Sequence, residues 1–194
     1  GLSVGVGIDG GLHWMRPLRE ICGRAASVTG VVRRGLEPAL EMEGESLGHA
    51  LFRIEPRGGC RFLEQPEGSG PLIATYSCNV AHRAVMAHDS CPYFRITGDA
   101  GEIVIHGTGL KKEVPGSGGL KLYNAEHPRG KEMFEEDRMG AFFLGFGHLW
   151  ENLCGIVRSK DYEKAHETVV RAADDVKTVL ALYRSSESGR WEDV

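Results

Sequence analysis

The order of elements along this 194-residue chain predicts an α+β fold, a large and mostly antiparallel sheet with helices on one face. Three observations carry that expectation. A short helical pattern opens the chain, β-branched segments broken by glycine turns fill its middle, and two long helical stripes close it.

Taken in order, residues 4–8 read as a short strand-like segment. Asp9 is placed to cap a helix in which Leu12, Met15, Leu18 and Ile21 recur at three-residue steps. Pro17 should kink that helix or confine its start, and Gly23 should stop it. Strands are expected at 26–34, 47–55 and 72–80, with a long excursion at 56–70 marked by Pro56, Gly58-Gly59, Pro66 and Gly68-Ser69-Gly70. Tyr93–Thr97 and Glu102–His106 flank Gly98-Asp99-Ala100-Gly101 as a hairpin, and 107–125 continue in the same strand-and-glycine style. Strands joined by hairpins make antiparallel pairing the default.

The end is helical. After a possible cap at Asp137, Met139, Phe142, Phe143, Phe146, Leu149, Trp150, Leu153 and Ile156 fall at helical spacing. Gly140, Gly145, Gly147 and Gly155 weaken this helix, so it needs tertiary packing to persist. Asp161 can cap a second helix with the stripe Tyr162, Ala165, Val169, Ala172, Val176, Val179, Leu180 and Tyr183. Gly189 ends it, and Trp191–Val194 return as a short strand. Helices of this number cover one face of a sheet. The other face calls for a second copy or a further domain.

Composition narrows the function. The chain is 41% apolar, enough for a core, and its net charge of −4 comes from well-mixed acidic and basic residues. A nucleic-acid binder usually concentrates basic charge on one face, and here the adjacent basic pairs are only Arg33-Arg34 and Lys111-Lys112. No apolar run approaches the length of a membrane span, and no charged-then-apolar leader is seen. The five cysteines, at 22, 60, 78, 91 and 154, are odd in number and scattered, which fits a reducing, cytoplasmic setting. Opening on Gly1 rather than Met, the chain reads as a fragment or processed product of one domain spanning 1–194.

Four constellations could carry chemistry. Gly5-Val6-Gly7-Ile8-Asp9-Gly10 satisfies a dinucleotide-binding glycine pattern, but only four residues precede it and hairpins rather than a parallel crossover follow. Asp9 would also set a carboxylate where a pyrophosphate should sit, so a Rossmann reading is rejected. Asp9 and His13 lie four residues apart, a spacing that lets a carboxylate orient a hydroxyl while an imidazole moves its proton. From spacing alone the simpler reading is a helix cap and a packed polar residue. Cys78 and His82 with His88 and Cys91 could hold zinc, but the gap between the pairs is shorter than usual, and Cys78 shares a strand face with apolar residues. No metal is therefore expected. Ser69 and Ser117 lack the strand-to-helix setting of a nucleophile and read as loop residues.

The run Gly5-Val6-Gly7-Ile8-Asp9-Gly10-Gly11-Leu12-His13, continued by Arg16-Pro17-Leu18-Arg19 and Gly23, resembles the opening of the C-terminal domain of the glucose–fructose oxidoreductase/inositol dehydrogenase/MocA (Gfo/Idh/MocA) family. Residues 94–105 and the terminal Ala181-Leu182-Tyr183-Arg184-Ser185-Ser186-Glu187-Ser188-Gly189 are similar to that family too, so the resemblance spans almost the whole chain. It implies a GAPDH-like C-terminal domain type, with the open sheet face as a homo-oligomer interface. It implies NAD- or NADP-dependent dehydrogenase chemistry on a sugar, cyclitol or related alcohol or carbonyl. By the resemblance, His13 is the proton-transferring catalytic residue and Asp9 binds substrate. The family's N-terminal Rossmann domain and its Glu-Lys-Pro motif are absent here. The expectation is therefore a substrate-binding and oligomerisation domain that binds no cofactor by itself and is inactive alone. The alternative is a non-catalytic binding or assembly module that kept the fold.

Overall fold

A computed structural model describes residues 11–33, 44–55, 70–79, 92–106, 119–134 and 138–194. Its elements are α1 (Leu12–Cys22), β1 (Ala25–Arg33), β2 (Leu47–Ile54), β3 (Leu72–Asn79), β4 (Pro92–Gly98), β5 (Gly101–His106), β6 (Gly119–Asn124), β7 (Lys131–Phe134), α2 (Arg138–Ser159), α3 (Tyr162–Ser188) and β8 (Glu192–Asp193). The chain divides into two compact units, Gly1–Arg83 with Glu163–Val194, and Ala84–Tyr162.

The first unit holds a sheet in the order β3-β2-β1-β8, every pairing antiparallel. Strand β2 shows why it takes one face down. Gly48, Ala50, Phe52 and Ile54 are buried while His49, Leu51 and Arg53 are exposed, the period-two alternation of a sheet with one covered face. Helices α1 and α3 supply the cover. Met15 from α1 and Val179, Ala181 and Leu182 from α3 join Val28, Ala50, Phe52 and Ile54 in a single buried cluster.

Helix α3 also finishes the edge of β1. Strand β8 pairs with β1 only at Ser27 and Val28. Beyond that point the backbone N–H of Gly30 donates to Ser185 Oγ at 3.0 Å, and that of Val32 to Ser186 Oγ at 3.0 Å. Two serine hydroxyls thus stand in for the strand that β8 does not extend to provide. Ser185 is fully buried, and its hydroxyl donates onward to the carbonyl of Arg190 at 2.6 Å. So close an approach needs Gly30. A Cβ there would lie 2.3 Å from the His49 carbonyl oxygen and 2.6 Å from Leu182 Cδ1.

The second unit holds the sheet β4-β5-β6-β7, again antiparallel throughout. The expected 98–101 hairpin is present, with Gly98 paired to Gly101 across Asp99-Ala100. Gly101 has φ 155°, and a Cβ there would meet the Tyr123 carbonyl oxygen at 2.4 Å. Val104 is the buried hydrophobic residue of this sheet among the described residues.

The α+β class, the antiparallel pairing and the two long C-terminal helices agree with the sequence expectation. Three details differ. The described strands form two four-stranded sheets where one large sheet was expected, because each strand's recorded partners lie within its own set; the β3–β4 connection lies outside the described residues. Strand β7 was not anticipated, since Lys-Glu-Met-Phe carries too little apolar alternation to stand out. The stripe expected to bury α3 does so only in part, through Val179 and Tyr183. Val169, Val176 and Leu180 are exposed, whereas Asp175, Thr178, Val179, Leu182 and Ser185 are buried. The reason is that α3 meets arginines of α1 and a strand edge of β1, partners that call for polar side chains.

Candidate active site

Helix α1 carries the residue that the sequence singles out, His13, exposed on the first turn. Asp9, its expected companion, lies outside the described residues, as do His82, His88, Cys91, Ser69, Ser117 and the bulk of the 56–70 excursion. The N-cap is Gly11, whose own backbone is helical (φ −62°, ψ −37°), and no side chain among the described residues caps the helix. The N–H groups of Trp14 and Met15 donate to the Gly11 carbonyl at 2.9 and 3.0 Å, and these backbone bonds close the first turn.

Pro17 sits inside this helix. It has no N–H to offer the carbonyl four residues back, which is that of His13. The turn carrying His13 is thus short of one helical hydrogen bond and, among the described residues, of a side-chain cap. What fixes it is the opposite face of α1. Met15 packs into the core, and Leu12, Trp14 and Leu18 pack around it.

A charged cluster joins α1 to α3. Arg16 Nε donates to Asp175 Oδ2 at 2.6 Å, and Arg19 Nε lies 3.3 Å from Asp175 Oδ1. Arg19 Nη1 donates to the Arg171 carbonyl at 2.8 Å, and Arg171 Nη1 reaches Glu20 Oε1 at 3.4 Å. Asp175 is 6% exposed, and guanidiniums face both of its oxygens, the pairing that a buried carboxylate calls for. Burial pulls the Arg19 guanidinium down from its ordinary value, and Asp175 pushes against that shift. One residue earlier, Asp174 lies below the usual carboxylate range, chiefly through its hydrogen bond from Lys177 Nζ at 3.0 Å.

A second polar cluster lies between β3 and α3. Tyr183 Oη donates to Glu45 Oε1 at 2.5 Å. Tyr76 Oη is buried and, among the described residues, meets no partner at full hydrogen-bond geometry. Burial pushes this phenol well above its ordinary value, and neighbouring Cys78 and Glu45 add to the shift.

The sequence singles out His13 and does not single out Asp175, Glu45 or Ser185. Asp175 and Ser185 are polar residues on a buried helix face and Glu45 lies between strands, positions that a search for apolar periodicity passes over. The adjacent Asp174-Asp175 and Ser185-Ser186 pairs were the available signals. Cys78, proposed for zinc and judged a core residue, is half-buried on β3, and among the described residues no group of three or more histidine, cysteine or acidic side chains could hold a metal. His148 Nδ1 lies 3.4 Å from Glu151 Oε2 on the exposed side of α2.

No family model and no curated protein matches this chain. Solved structures do. An oxidoreductase from Agrobacterium radiobacter, in complex with NAD+, L-tartaric acid and magnesium, is 18% identical with a TM-score of 0.59, over 99% of this chain and 51% of its own. The WlbA dehydrogenase from Bordetella pertussis, in complex with NADH and UDP-GlcNAcA, is 12% identical with a TM-score of 0.54, over 99% of this chain and 46% of its own. An aldose-aldose oxidoreductase from Caulobacter crescentus, complexed with glycerol, is 14% identical with a TM-score of 0.56, over 95% of this chain and 46% of its own. The chain spans about half the length of the solved structures it matches. It is similar in fold to one half of these enzymes.

Proposed function

We propose that this chain is the substrate-side domain of a two-part NAD- or NADP-dependent oxidoreductase acting on a sugar, cyclitol or related alcohol or carbonyl. The observation that carries the reading is a fold shared across nearly all of the chain with about half of each of several oxidoreductases. Two of those matched structures hold NAD+ or NADH. The described strands pair only antiparallel, which is not the parallel crossover that cradles a dinucleotide. The nicotinamide, which accepts or gives the hydride, is therefore assigned to the other half.

In this reading the His13 imidazole exchanges a proton with the reacting hydroxyl or carbonyl oxygen, and Asp9 accepts a hydrogen bond from the substrate. The exposure of His13 fits a residue that meets a small molecule. The test is the full-length protein assayed with NAD+ and NADP+ against a panel of aldoses and cyclitols. His13→Ala should lower turnover by about a hundredfold. Unchanged turnover in that variant would remove His13 from the chemistry.

The reverse face of the first sheet is read as an interface between copies of the chain. It carries Leu51 at 42% and Ile73 at 52% exposure on neighbouring strands. Light scattering should find an oligomer that Ile73→Lys dissociates, and a monomer at high concentration would end this part of the reading.

A further inference from the structure

We infer that Asp175, acting through Arg16, is a positioning residue that holds the His13 turn of α1 in place. The inference rests on the proposed role of His13, but its geometry stands independently of that role. The turn in question lacks a side-chain cap among the described residues and lacks the hydrogen bond that Pro17 cannot donate to the His13 carbonyl. A short helix with such a beginning frays unless tertiary contacts hold it. Arg16 lies one turn after His13 on the same side of α1, and its Nε meets Asp175 Oδ2 at 2.6 Å.

Asp175 is itself held. Helix α3 is anchored beneath it by Val179 and Leu182 in the core and by Ser185 on β1. The carboxylate is thus a fixed point, and the arginine transmits that position to the helix bearing the histidine. Arg19 secures the following turn through Asp175 Oδ1 and the Arg171 carbonyl, so the Arg16 bond adds a directional polar tie next to His13 beside the apolar packing of Leu12, Trp14 and Met15. This arrangement separates holding from chemistry. The buried carboxylate never meets substrate, and the exposed imidazole is free to do so.

The test compares Arg16→Gln and Arg16→Lys with wild type. These variants leave Arg19 on Asp175, so they avoid the unfolding that Asp175→Asn invites. Hydrogen exchange on the purified chain should speed up by about tenfold at the amides of Trp14 to Arg16 in Arg16→Gln, while β2 amides exchange as before. In the full-length enzyme, assayed with NAD+ and the same aldose and cyclitol panel, kcat should fall with KM held, and Arg16→Lys should recover most of it. Equal exchange in the α1 and β2 amides of Arg16→Gln and wild type would overturn the inference. So would a kcat loss that Arg16→Lys fails to restore. If His13→Ala retains full turnover while the exchange difference persists, the catalytic reading fails and the positional inference stands.

Discussion

The two units handle their sheets differently. In the first, α1 and α3 cover one face and leave a continuous buried cluster from Met15 to Leu182. In the second, Val104 is the buried hydrophobic side chain among the described residues, while α2 turns Phe146, Leu149, Trp150 and Leu153 outward. Trp150 alone is 62% exposed. Both units build four-stranded antiparallel ladders. What differs is the packing of side chains, which supplies most of the stability of a sheet. A strand pattern can therefore write a ladder without specifying its cover.

The largest expected effect tests the tight first unit. Gly30→Ala drives a methyl into the His49 carbonyl and Leu182, and the backbone atom cannot give way. A loss of about 3 kcal/mol is expected in urea unfolding. A change within experimental error would mean that β1 and α3 lie further apart than described.

Next comes the serine seal on β1. Ser185→Ala leaves the Gly30 N–H and the Arg190 carbonyl without this partner in a buried setting. It should cost about 2 kcal/mol. Ser185→Thr keeps the hydroxyl and separates hydrogen bonding from volume. If alanine and wild type unfold at the same denaturant concentration, the seal contributes nothing to the contrast between the units.

A smaller effect concerns Tyr76. Its folded value lies above the ordinary 10.0, so the neutral phenol favours the folded state below pH 10, and that stability is lost as the pH rises further. Tyr76→Phe removes a buried hydroxyl that has no full hydrogen bond among the described residues. Stability at neutral pH should change by less than about 1 kcal/mol, and the alkaline decline above pH 10 should become shallower. Thermal melts across pH 8 to about 11 check both parts together. An unchanged alkaline limb would place the titration elsewhere.

The smallest effect belongs to the loosely covered unit. A Cβ at Gly147 in α2 meets nothing within 4 Å. Gly147→Ala should stabilise the helix by about 0.5–1 kcal/mol, opposite in sign to the change at Gly30. Destabilisation would show that another surface packs closely against α2.

The sequence reading located α1, the 98–101 hairpin and both long helices, because periodicity and glycine punctuation are local signals. It also singled out His13. It did not place Gly11 at the N-cap position, since helix ends depend on where the chain actually turns. Nor did it see which face of α3 is buried. Val169 and Leu180 look like core residues to any pattern count, yet Asp175 and Ser185 occupy the contact.

By itself the sequence determined the class of fold, the antiparallel style of pairing and the helix that carries the candidate histidine. These follow from propensities and spacings within a few residues of each other. Only tertiary structure decided that Asp175 would face two arginines more than 150 positions earlier, and that Ser185 would complete a strand edge at Gly30. A buried polar residue is stable only beside its partner. The chain order does not say which distant residue that partner is.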